Sequence, residues 1–189
     1  MINKTKEYLE KAGALLNGHF LLTSGRHAGQ YMQCAKVMQY PNYTEHIASV
    51  MAHKLDGIDV DMVVAPAVGG IIIGYELAKA LGVKSVFAER VMGKMELRRG
   101  FVIPKGTKVV IAEDVVTTGL SIADVKEIVT ACQAELVAVA VIVDRTGGDI
   151  DVGVKFVSAY SKKIISYEEE NCPYCKEGTT AIKPGSRGL

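Results

Sequence analysis

The spacing of apolar residues changes along the chain, and its early part shows a helical period. In the segment from Asn3 to Leu16, apolar residues recur at intervals of three and four, which predicts an amphipathic helix. Pro41 to Leu55 shows the same period, with its proline in the first turn, where proline is tolerated. The stretch from Asn17 to Gln30 is polar and contains several glycines.

From residue 62 onward, short apolar runs alternate with helical patterns. The runs that predict strands are Met62–Ala65, Ser85–Ala88, Val109–Ala112, Leu136–Val143 and Lys155–Tyr160. Helices are predicted from about Ile71 to Leu81 and from about Leu120 to Ala134. The eight consecutive apolar residues of the fourth run are typical of a strand buried on both faces. This alternation predicts an α/β fold, a parallel sheet with helices on both faces.

Ligands in open parallel sheets bind beyond the carboxyl ends of the strands. Four segments that follow predicted strands carry polar or charged residues. They are Ala65–Gly70, Glu89–Gly100, Glu113–Gly119 and Asp144–Gly148. The second is the longest and is basic. We expect the binding chemistry of the protein to come from these segments.

Composition and charge narrow the class of protein. The 189 residues fit one domain with a single core, and 49% of them are apolar. A net charge of +1 gives no electrostatic case for nucleic acid or an anionic membrane surface. No apolar run approaches the roughly 18–20 residues of a membrane span, and the first residues lack an apolar signal core, so we expect no export. Four cysteines are too few for a disulfide scaffold, so we expect a reduced, cytoplasmic protein.

The segment Val109–Ser121 joins an apolar run to two adjacent acids, Glu113 and Asp114, then to a Thr-Thr-Gly turn and a helical pattern. Each residue alone is compatible with a surface acid or a helix cap. In this order they indicate a sugar-phosphate site, because backbone N–H groups at a turn and a helix N-terminus attract phosphate while acids hold sugar hydroxyls. A helix N-terminus stabilises an exposed charge by only about 0.3–1 kcal/mol, so several donors must share the phosphate.

The same segment closely resembles the phosphoribosyl-diphosphate motif of type I phosphoribosyltransferases: four apolar residues, two acids, two apolar residues and a Thr/Gly-rich turn. The resemblance implies that family's fold, with a small N-terminal hood. It also implies that the acids hold the ribose 2- and 3-hydroxyls and that Val116–Ser121 wrap the 5-phosphate. The implied contacts to phosphoribosyl diphosphate are Glu113, Asp114, Val115, Val116, Thr117, Thr118, Gly119, Leu120 and Ser121.

Gly69 and Gly70 follow the first predicted strand. A Gly-Gly pair there is commonly a tight turn and no more. In this family resemblance it corresponds to the loop that binds the diphosphate. The absence of side chains lets backbone amides approach phosphate oxygens closely.

The basic segment Glu89–Gly100 is compatible with a solvated β-ribbon or loop. Its cations also suit a diphosphate leaving group, because they can stabilise charge that develops as the bond breaks. The family resemblance implies a mobile loop that closes over the site and often lends a lysine to the neighbouring subunit. Arg90 and Lys94 match its Arg and Lys. We expect Lys94, Arg90 and Asp114 to be catalytic, with Arg98 or Arg99 as substitutes for the lysine.

Two further segments resemble the orotate branch of the family. The stretch Phe20–Tyr31 contains Thr23, Ser24 and Gly25, which match a hood that covers the base. Arg145 follows the buried strand, and the resemblance places it near the pyrimidine ring, with Thr117 also reaching the base. A guanidinium suits orotate, because it makes paired contacts with a carboxylate.

The reaction implied is that of orotate with 5-phosphoribosyl diphosphate, giving orotidine 5-phosphate and diphosphate in pyrimidine nucleotide synthesis. Mg²⁺ is the expected cofactor, bridging diphosphate and ribose hydroxyls, because no protein metal cage is visible and this cation prefers phosphates and water. The family resemblance implies a homodimer, and we expect neither a nucleic-acid nor a membrane partner. Two alternatives remain: a phosphoribosyltransferase for a purine or another base, and a non-catalytic regulator that senses phosphoribosyl diphosphate.

The pair Cys172 and Cys175 has CxxC spacing, which supplies two zinc ligands where four are normally needed. The four histidines show no ligand spacing, and His46 and His53 are expected on a helix surface. We interpret the pair as reduced thiols, the alternative being a metal shared with another ligand or chain. Residues 1–189 are expected to form one domain, with a hood in about residues 1–40 and an irregular tail at 167–189.

Overall fold

The computed structural model describes residues 2–22 and 24–184, with side chains from residue 4 onward. Thr23, which is predicted to contact the base, therefore lies outside the described residues. The helices are α1 (Ile2–Lys11), α2 (Ala35–Met38), α3 (Pro41–Lys54), α4 (Gly70–Leu81), α5 (Leu120–Ala131) and α6 (Pro173–Lys176), with a 3-10 helix at Glu169–Asn171. The strands are β1 (Leu15–Leu21), β2 (His27–Met32), β3 (Met62–Pro66), β4 (Lys84–Val91), β5 (Lys94–Leu97), β6 (Lys108–Val116), β7 (Glu135–Asp144), β8 (Lys155–Ser161) and β9 (Ser166–Tyr167).

The main sheet has six strands in the order β5-β4-β3-β6-β7-β8. All neighbouring pairs are parallel except β4 and β5, which form an antiparallel ribbon. The predicted parallel α/β sheet is thus confirmed, with one antiparallel edge strand added. Strand β7 lies between β6 and β8 and is buried along most of its length, as its unbroken apolar run predicts.

Helices cover both faces of this sheet, because alternate residues of its central strands point to opposite sides. On β6, Val110 and Ala112 pack with buried residues of α3 and α4. Val109 and Ile111 face the other way and pack with the apolar side of α5. Within the described residues, no helix is long and apolar enough to cross a membrane.

The first helix is shorter than its apolar spacing predicts. It ends at Lys11, and Gly13 then adopts a positive φ of 63°, a conformation that glycine tolerates and that turns the chain. Leu15 and Leu16 consequently lie in β1 rather than in the helix. Most of the polar, glycine-containing stretch from Asn17 to Gln30 pairs as an antiparallel hairpin of β1 and β2.

The C-terminal tail is more ordered than its polar composition predicts. Strand β9 pairs with β2, which completes a small three-stranded sheet β1-β2-β9 beside the main one. Beyond it, Cys172 is fully buried and Ile182 bridges to Phe20 in β1. The tail thus belongs to the hood, which is assembled from both ends of the chain.

Candidate functional site

The two adjacent acids are among the last residues of β6, whereas the sequence predicts them just beyond the strand. The strand continues to Val116 because β7 pairs with it as far as Asp144. Two backbone amides cap the acids locally. The N–H of Asp114 donates to Glu113 Oε1 at 3.0 Å, and the N–H of Val115 donates to Asp114 Oδ1 at 2.8 Å. Both carboxyl groups are therefore held in place at the carboxyl end of the central strand.

Burial dominates the electrostatics of this pair. It raises the pKa of Glu113 well above its ordinary value, and the neighbouring Asp114 raises it further. Burial also raises the pKa of Asp114, although hydrogen bonds from Glu113 and from backbone amides oppose the rise. Two acids that resist ionisation in the free protein are suited to hydroxyl donors or a cation, which favour the ionised form.

The turn after β6 opens into a cleft of about 550 Å³. Gly119 precedes α5 with a φ of 77°. Because glycine has no side chain, no side-chain hydrogen bond caps the start of this helix. The first turn of α5 also contains no acid, so its N-terminal amides are not neutralised locally. The residues that line the cleft are Arg90, Gly93, Glu113, Val115, Val116, Thr117, Thr118, Gly119, Leu120, Ser121, Ile122 and Asp124.

The glycine pair after β3 lies directly against the acids. A Cβ on Gly69 would stand 2.9 Å from Asp114 Oδ2, and one on Gly70 would stand 2.9 Å from the carbonyl oxygen of Ala112. The Ala67–Val68 peptide bond beside them is cis. The absence of side chains at Gly69 and Gly70 therefore lets α4 begin in contact with the carboxyl end of β6, a packing role that the sequence alone does not show.

The basic segment is the antiparallel ribbon of β4 and β5, so the ribbon alternative describes its conformation. Arg90 Nη1 donates to the carbonyl of Gly93 at 2.7 Å, and Nη2 pairs with Asp124 on α5. This pairing brings Arg90 into the cleft beside the turn from Thr117 to Gly119.

The other cations of the ribbon are placed differently. Arg99 pairs with Glu89 through two hydrogen bonds of 2.8 Å and stacks over Phe87. Lys94 and Arg98 are exposed and, in the part of the chain that is described, form no ion pair. Lys94 does not line the cleft among those residues. Arg99 is thus engaged in the ribbon, whereas Lys94 is available at its tip.

Arg145 directly follows β7, and its backbone N–H donates to the carbonyl of Val116 at 3.1 Å. Its guanidinium carbon is 6.0 Å from the ring centre of Tyr31 in β2, and its buried Nε has no hydrogen-bond partner. Burial lowers the pKa of Arg145, and burial raises that of Tyr31, with the Asp114 charge adding to the latter rise. Cys34, which follows β2, directs its thiol to the carbonyl of Asp114 at 3.5 Å. Arg145, Tyr31 and Asp114 therefore lie close together at the carboxyl ends of β6 and β7.

Asp144 builds the loop that presents Arg145. Its Oδ1 accepts from the N–H of Thr146 at 2.7 Å and from the hydroxyl of the same residue at 2.6 Å. Its Oδ2 accepts from the N–H of Gly148 and the hydroxyl of Ser161, both at 2.8 Å. Burial alone would raise the pKa of Asp144, but these hydrogen bonds lower it.

The turn of the hood is exposed. Ser24 and Gly25 lie between β1 and β2, where the N–H of Gly25 donates to the carbonyl of Leu22 at 3.0 Å. Arg26 anchors this turn to the tail by donating to Ser166 at 2.9 and 2.7 Å and by pairing with Glu168. Among the described residues, no hydrogen bond joins Ser24 or Gly25 to Arg145.

Sequence reasoning assigned no individual role to four residues of the site: Tyr31, Cys34, Asp124 and Asp144. Only Asp144 carries a local signal, an aspartate two residues before a threonine and four before a glycine, which is typical of a side chain that caps its own loop. Tyr31, Cys34 and Asp124 reach the site through pairing of distant segments, for which no local pattern exists.

A second cavity, of about 710 Å³, is larger than the cleft. It lies between the β1–β2 hairpin, the segment from Lys162 to Tyr167, and the tail around Thr179. Neither the paired acids nor the turn from Thr117 to Gly119 lines this second cavity. Size alone therefore does not mark the reactive site, and the chemistry of the lining assigns that site to the smaller cleft.

The chain matches the family described as phosphoribosyl transferase domain over residues 36–169. This match spans well over half of the chain, and the chain belongs to the phosphoribosyltransferase family.

The orotate phosphoribosyltransferase of Caldanaerobacter subterraneus subsp. tengcongensis is 50% identical to this chain over 186 residues, which cover 98% of each protein. The crystal structure of orotate phosphoribosyltransferase from Aeropyrum pernix has a TM-score of 0.72 at 26% identity and covers 82% of this chain and 92% of that one. The adenine phosphoribosyltransferase of Thermoanaerobacter pseudethanolicus shares the fold, with a TM-score of 0.62 at 20% identity over 70% of this chain and 88% of that one. The fold is thus common to proteins named for different bases, so the base must be argued from side chains.

Proposed function

We propose that the protein is an orotate phosphoribosyltransferase, which transfers the 5-phosphoribosyl group of phosphoribosyl diphosphate to orotate in pyrimidine nucleotide synthesis. The observation that carries the choice of base is Arg145, a half-buried guanidinium whose Nε lacks a partner beside Tyr31 and Asp114. An orphaned buried donor is costly unless a ligand satisfies it, and an anionic base with carboxylate and carbonyl acceptors does so. The 50% identity to a relative of that name over the whole chain supports the same choice.

The phosphoribosyl group would bind at the turn between β6 and α5. Thr117, Thr118 and the amides from Gly119 to Ser121 would hold the 5-phosphate, while Val115, Val116 and Leu120 shape the cleft around it. Glu113 and Asp114 would accept hydrogen bonds from the ribose hydroxyls. This assignment rests on the uncapped N-terminus of α5 and on the pair of acids directly behind it.

The diphosphate would lie between the glycine pair and the ribbon. Gly69 lies against Asp114, so the glycine loop would lie next to a ribose held by the acids. Arg90 lies in the cleft, and Lys94 is exposed at the tip of the ribbon. As the bond from C1 to the diphosphate oxygen breaks and the bond from C1 to the base nitrogen forms, these cations would stabilise the departing charge.

Mg²⁺ is the cofactor that suits this donor set. Buried paired carboxylates with raised pKa values favour a nearby cation, and carboxylate oxygen is a ligand that Mg²⁺ prefers. Glu113 and Asp114 would hold the ion together with oxygens of the substrate. When bound, it would supply positive charge to the diphosphate.

A competition assay tests the choice of base. Purified protein is incubated with phosphoribosyl diphosphate, Mg²⁺ and an equimolar mixture of orotate, uracil, hypoxanthine, adenine and xanthine, and the nucleotide products are separated. We expect orotidine 5-phosphate and diphosphate in equal amounts. Turnover of a purine without orotate would assign the protein to another branch. Unchanged bases together with measurable binding of phosphoribosyl diphosphate would instead favour a non-catalytic sensor.

Three further expectations accompany this proposal. The whole chain forms one phosphoribosyltransferase domain with its hood. It acts as a homodimer, in which Lys94 serves the neighbouring site, and light scattering with a mixed-dimer assay of Lys94→Ala and Asp114→Asn protomers tests this. The protein works in the cytoplasm, in keeping with four cysteines that form no disulfide among the described residues.

A further inference from the structure

Two histidines and two cysteines converge where the hood meets the tail. His19 lies in β1, His27 begins β2, and Cys172 and Cys175 flank the start of α6. One potential ligand atom from each of the four lies within 4.8 Å of the other three. The histidines show no ligand spacing in the sequence because they come from a hairpin about 150 residues earlier in the chain than the cysteine pair.

The distances suit a tetrahedral metal. The Sγ of Cys175 is 3.2 Å from His27 Nδ1 and 3.7 Å from His19 Nε2, and the Sγ of Cys172 is 3.5 Å from His19 Nε2. Zinc bonds of about 2.0–2.1 Å to nitrogen and about 2.3 Å to sulfur place tetrahedral nitrogen and sulfur ligands about 3.5 Å apart. The two imidazole nitrogens are 2.7 Å apart, so they would separate by about 0.6 Å to reach the spacing of tetrahedral nitrogen ligands.

The surroundings also suit a metal site rather than solvent-exposed thiols. His19, His27 and Cys172 are almost fully buried, and the pair of cysteines is not joined as a disulfide. His19 Nδ1 faces the carbonyl oxygen of Thr179 at 3.1 Å. A carbonyl can only accept, so this contact places the ring proton on Nδ1 and leaves the Nε2 lone pair for a metal.

The tail is shaped to deliver the cysteines. Tyr174, between them, lies 5.6 Å ring to ring from His19. Its hydroxyl would be 1.9 Å from any Cβ at position 29, so the chain requires Gly29 where β2 passes beneath the ring. The hydrogen bonds of Arg26 to Ser166 fix the same hairpin to the chain just before α6.

We propose that His19, His27, Cys172 and Cys175 form a structural zinc site that fastens the C-terminal tail to the hood. Four protein ligands leave no open position, so the ion is structural and not catalytic. Two thiolates and two neutral imidazoles favour zinc over Mg²⁺, which takes oxygen ligands. The site lies outside the cleft of the acids, and it is separate from the proposed orotate reaction.

Metal analysis of untagged protein tests the proposal. We expect about one zinc per chain by mass spectrometry, near zero in the Cys172→Ser/Cys175→Ser double variant, and an unchanged ratio in the control Cys132→Ser. Exchange of the wild-type protein with Co²⁺ should give the visible bands of tetrahedral thiolate coordination. These readouts do not depend on activity, so failure of the zinc site and failure of the orotate assay are distinguishable.

The role in fastening the tail has its own measurement. Removal of the metal from the wild-type chain by a chelator should accelerate proteolysis after Lys176, and addition of zinc should reverse this. Wild-type protein that neither retains zinc after supplementation nor shows cobalt bands would overturn the site. A disulfide between Cys172 and Cys175 in freshly purified protein would overturn it as well. Bound zinc without any change in proteolysis would overturn the fastening role.

Discussion

Two regions of the molecule are built in opposite ways. One is the turn from Thr117 to Gly119 between β6 and α5, which we propose to bind phosphate and call the phosphate turn, and the other is the hood. The first is contiguous, since residues 108–131 supply the strand, the acids, the turn and the helix. The hood joins β1 and β2 to β9 and the tail, and its side-chain bonds span 140 to 160 residues, as between Arg26 and Ser166 or His19 and Thr179. The difference teaches that the strand-turn-helix segment is encoded locally, whereas the surroundings of Arg145, which we propose to contact the base, depend on segments that meet only in the folded protein.

The two regions also differ in burial. β6 lies between β3 and β7 with helices on both faces, and its apolar residues from Val109 to Ala112 are fully buried. The hood has three strands and an exposed turn, and small sheets of this size depend on packing against the rest of the protein. We therefore expect changes in the phosphate turn to affect chemistry, and changes in the hood to affect affinity for the base.

The largest effect is expected for Asp114→Asn. It removes a charge that would accept from a ribose hydroxyl, and a charged hydrogen bond of about 3 kcal/mol corresponds to a loss of roughly 150-fold in kcat/KM. The melting temperature should not fall, because the change neutralises a buried acid whose pKa burial raises. Steady-state kinetics and thermal unfolding check both, with the exposed Asp149→Asn as the control. Near-normal kinetics would remove the acids from the mechanism.

The next effect is expected for Arg145→Ala, which tests the boundary between the two regions. The KM for orotate should rise roughly 30-fold, about 2 kcal/mol, because a buried charged contact to the base is lost. The KM for phosphoribosyl diphosphate should change little, since the guanidinium faces Tyr31 rather than the phosphate turn. Equal changes in both constants would contradict the assignment of Arg145 to the base.

Gly69→Ala should act on the phosphate side alone. Its Cβ would stand 2.9–3.0 Å from the Asp114 carboxyl group, so the carboxyl or the loop must shift. We expect the KM for phosphoribosyl diphosphate to rise about tenfold and stability to fall by about 1–3 kcal/mol, the usual range for overpacking. The neighbouring, exposed Val68→Ala provides the control. An unaltered KM would show that the contact between the glycine loop and the acid is irrelevant to binding.

A smaller effect is expected from pH. The free protein holds Glu113 protonated near neutrality because burial raises its pKa, whereas ribose hydroxyls and a cation favour the ionised form. Binding then releases a proton, so the affinity for phosphoribosyl diphosphate should rise with pH by less than tenfold per unit. Titration calorimetry in buffers of different ionisation heat measures the release. Glu113→Gln should abolish that part of the pH dependence, leaving only the slope of the substrate phosphate, and an identical slope would exclude Glu113.

The raised pKa of Glu113 affects the stability of the free protein in the opposite direction: stability falls with rising pH, whereas affinity for the substrate rises. A folded-state pKa above the unfolded value contributes stability that is complete at low pH and is lost as pH rises through the folded pKa. Asp144 acts in reverse, because its lowered pKa contributes stability that is lost as pH falls. Measured unfolding of Glu113→Gln and Asp144→Asn across pH separates the two contributions.

The smallest effect is expected for Arg26→Ala in the hood. The ion pair with Glu168 is mostly exposed, and such pairs contribute about 0–1 kcal/mol. The KM for orotate should rise about two- to threefold, with no change in the KM for phosphoribosyl diphosphate. A change confined to phosphoribosyl diphosphate would erase the functional difference between hood and phosphate turn.

Most of the main sheet could be predicted from sequence because its signals are periodic and local. All five predicted apolar runs are strands, although β4 and β6 extend beyond them, since pairing with β5 and β7 continues past the apolar residues. The errors fall where pairing is distant. Leu15 and Leu16 repeat at a helical spacing, yet they enter a strand because His27–Met32 pairs with them.

The same distinction holds for the site. The acids, the Thr-Thr-Gly turn and the glycine pair could be predicted, because each lies at the end of a strand whose direction is set by its neighbours. Tyr31 beside Arg145, and Asp124 beside Arg90, could not, because each pair joins elements that are remote in sequence. Lys94 as the main catalytic cation, with Arg98 or Arg99 as substitutes, stays a prediction for kinetics.

The sequence by itself determined the class of fold and the kind of chemistry, because hydrophobic period and a contiguous strand-turn-helix segment need no distant partner. Only the tertiary structure decided what surrounds Arg145, how the tail joins the hood, and that His19 and His27 meet Cys172 and Cys175. The physical reason is that these groups interact over a few ångströms, and residues far apart in the chain reach that distance only when the sheet has formed.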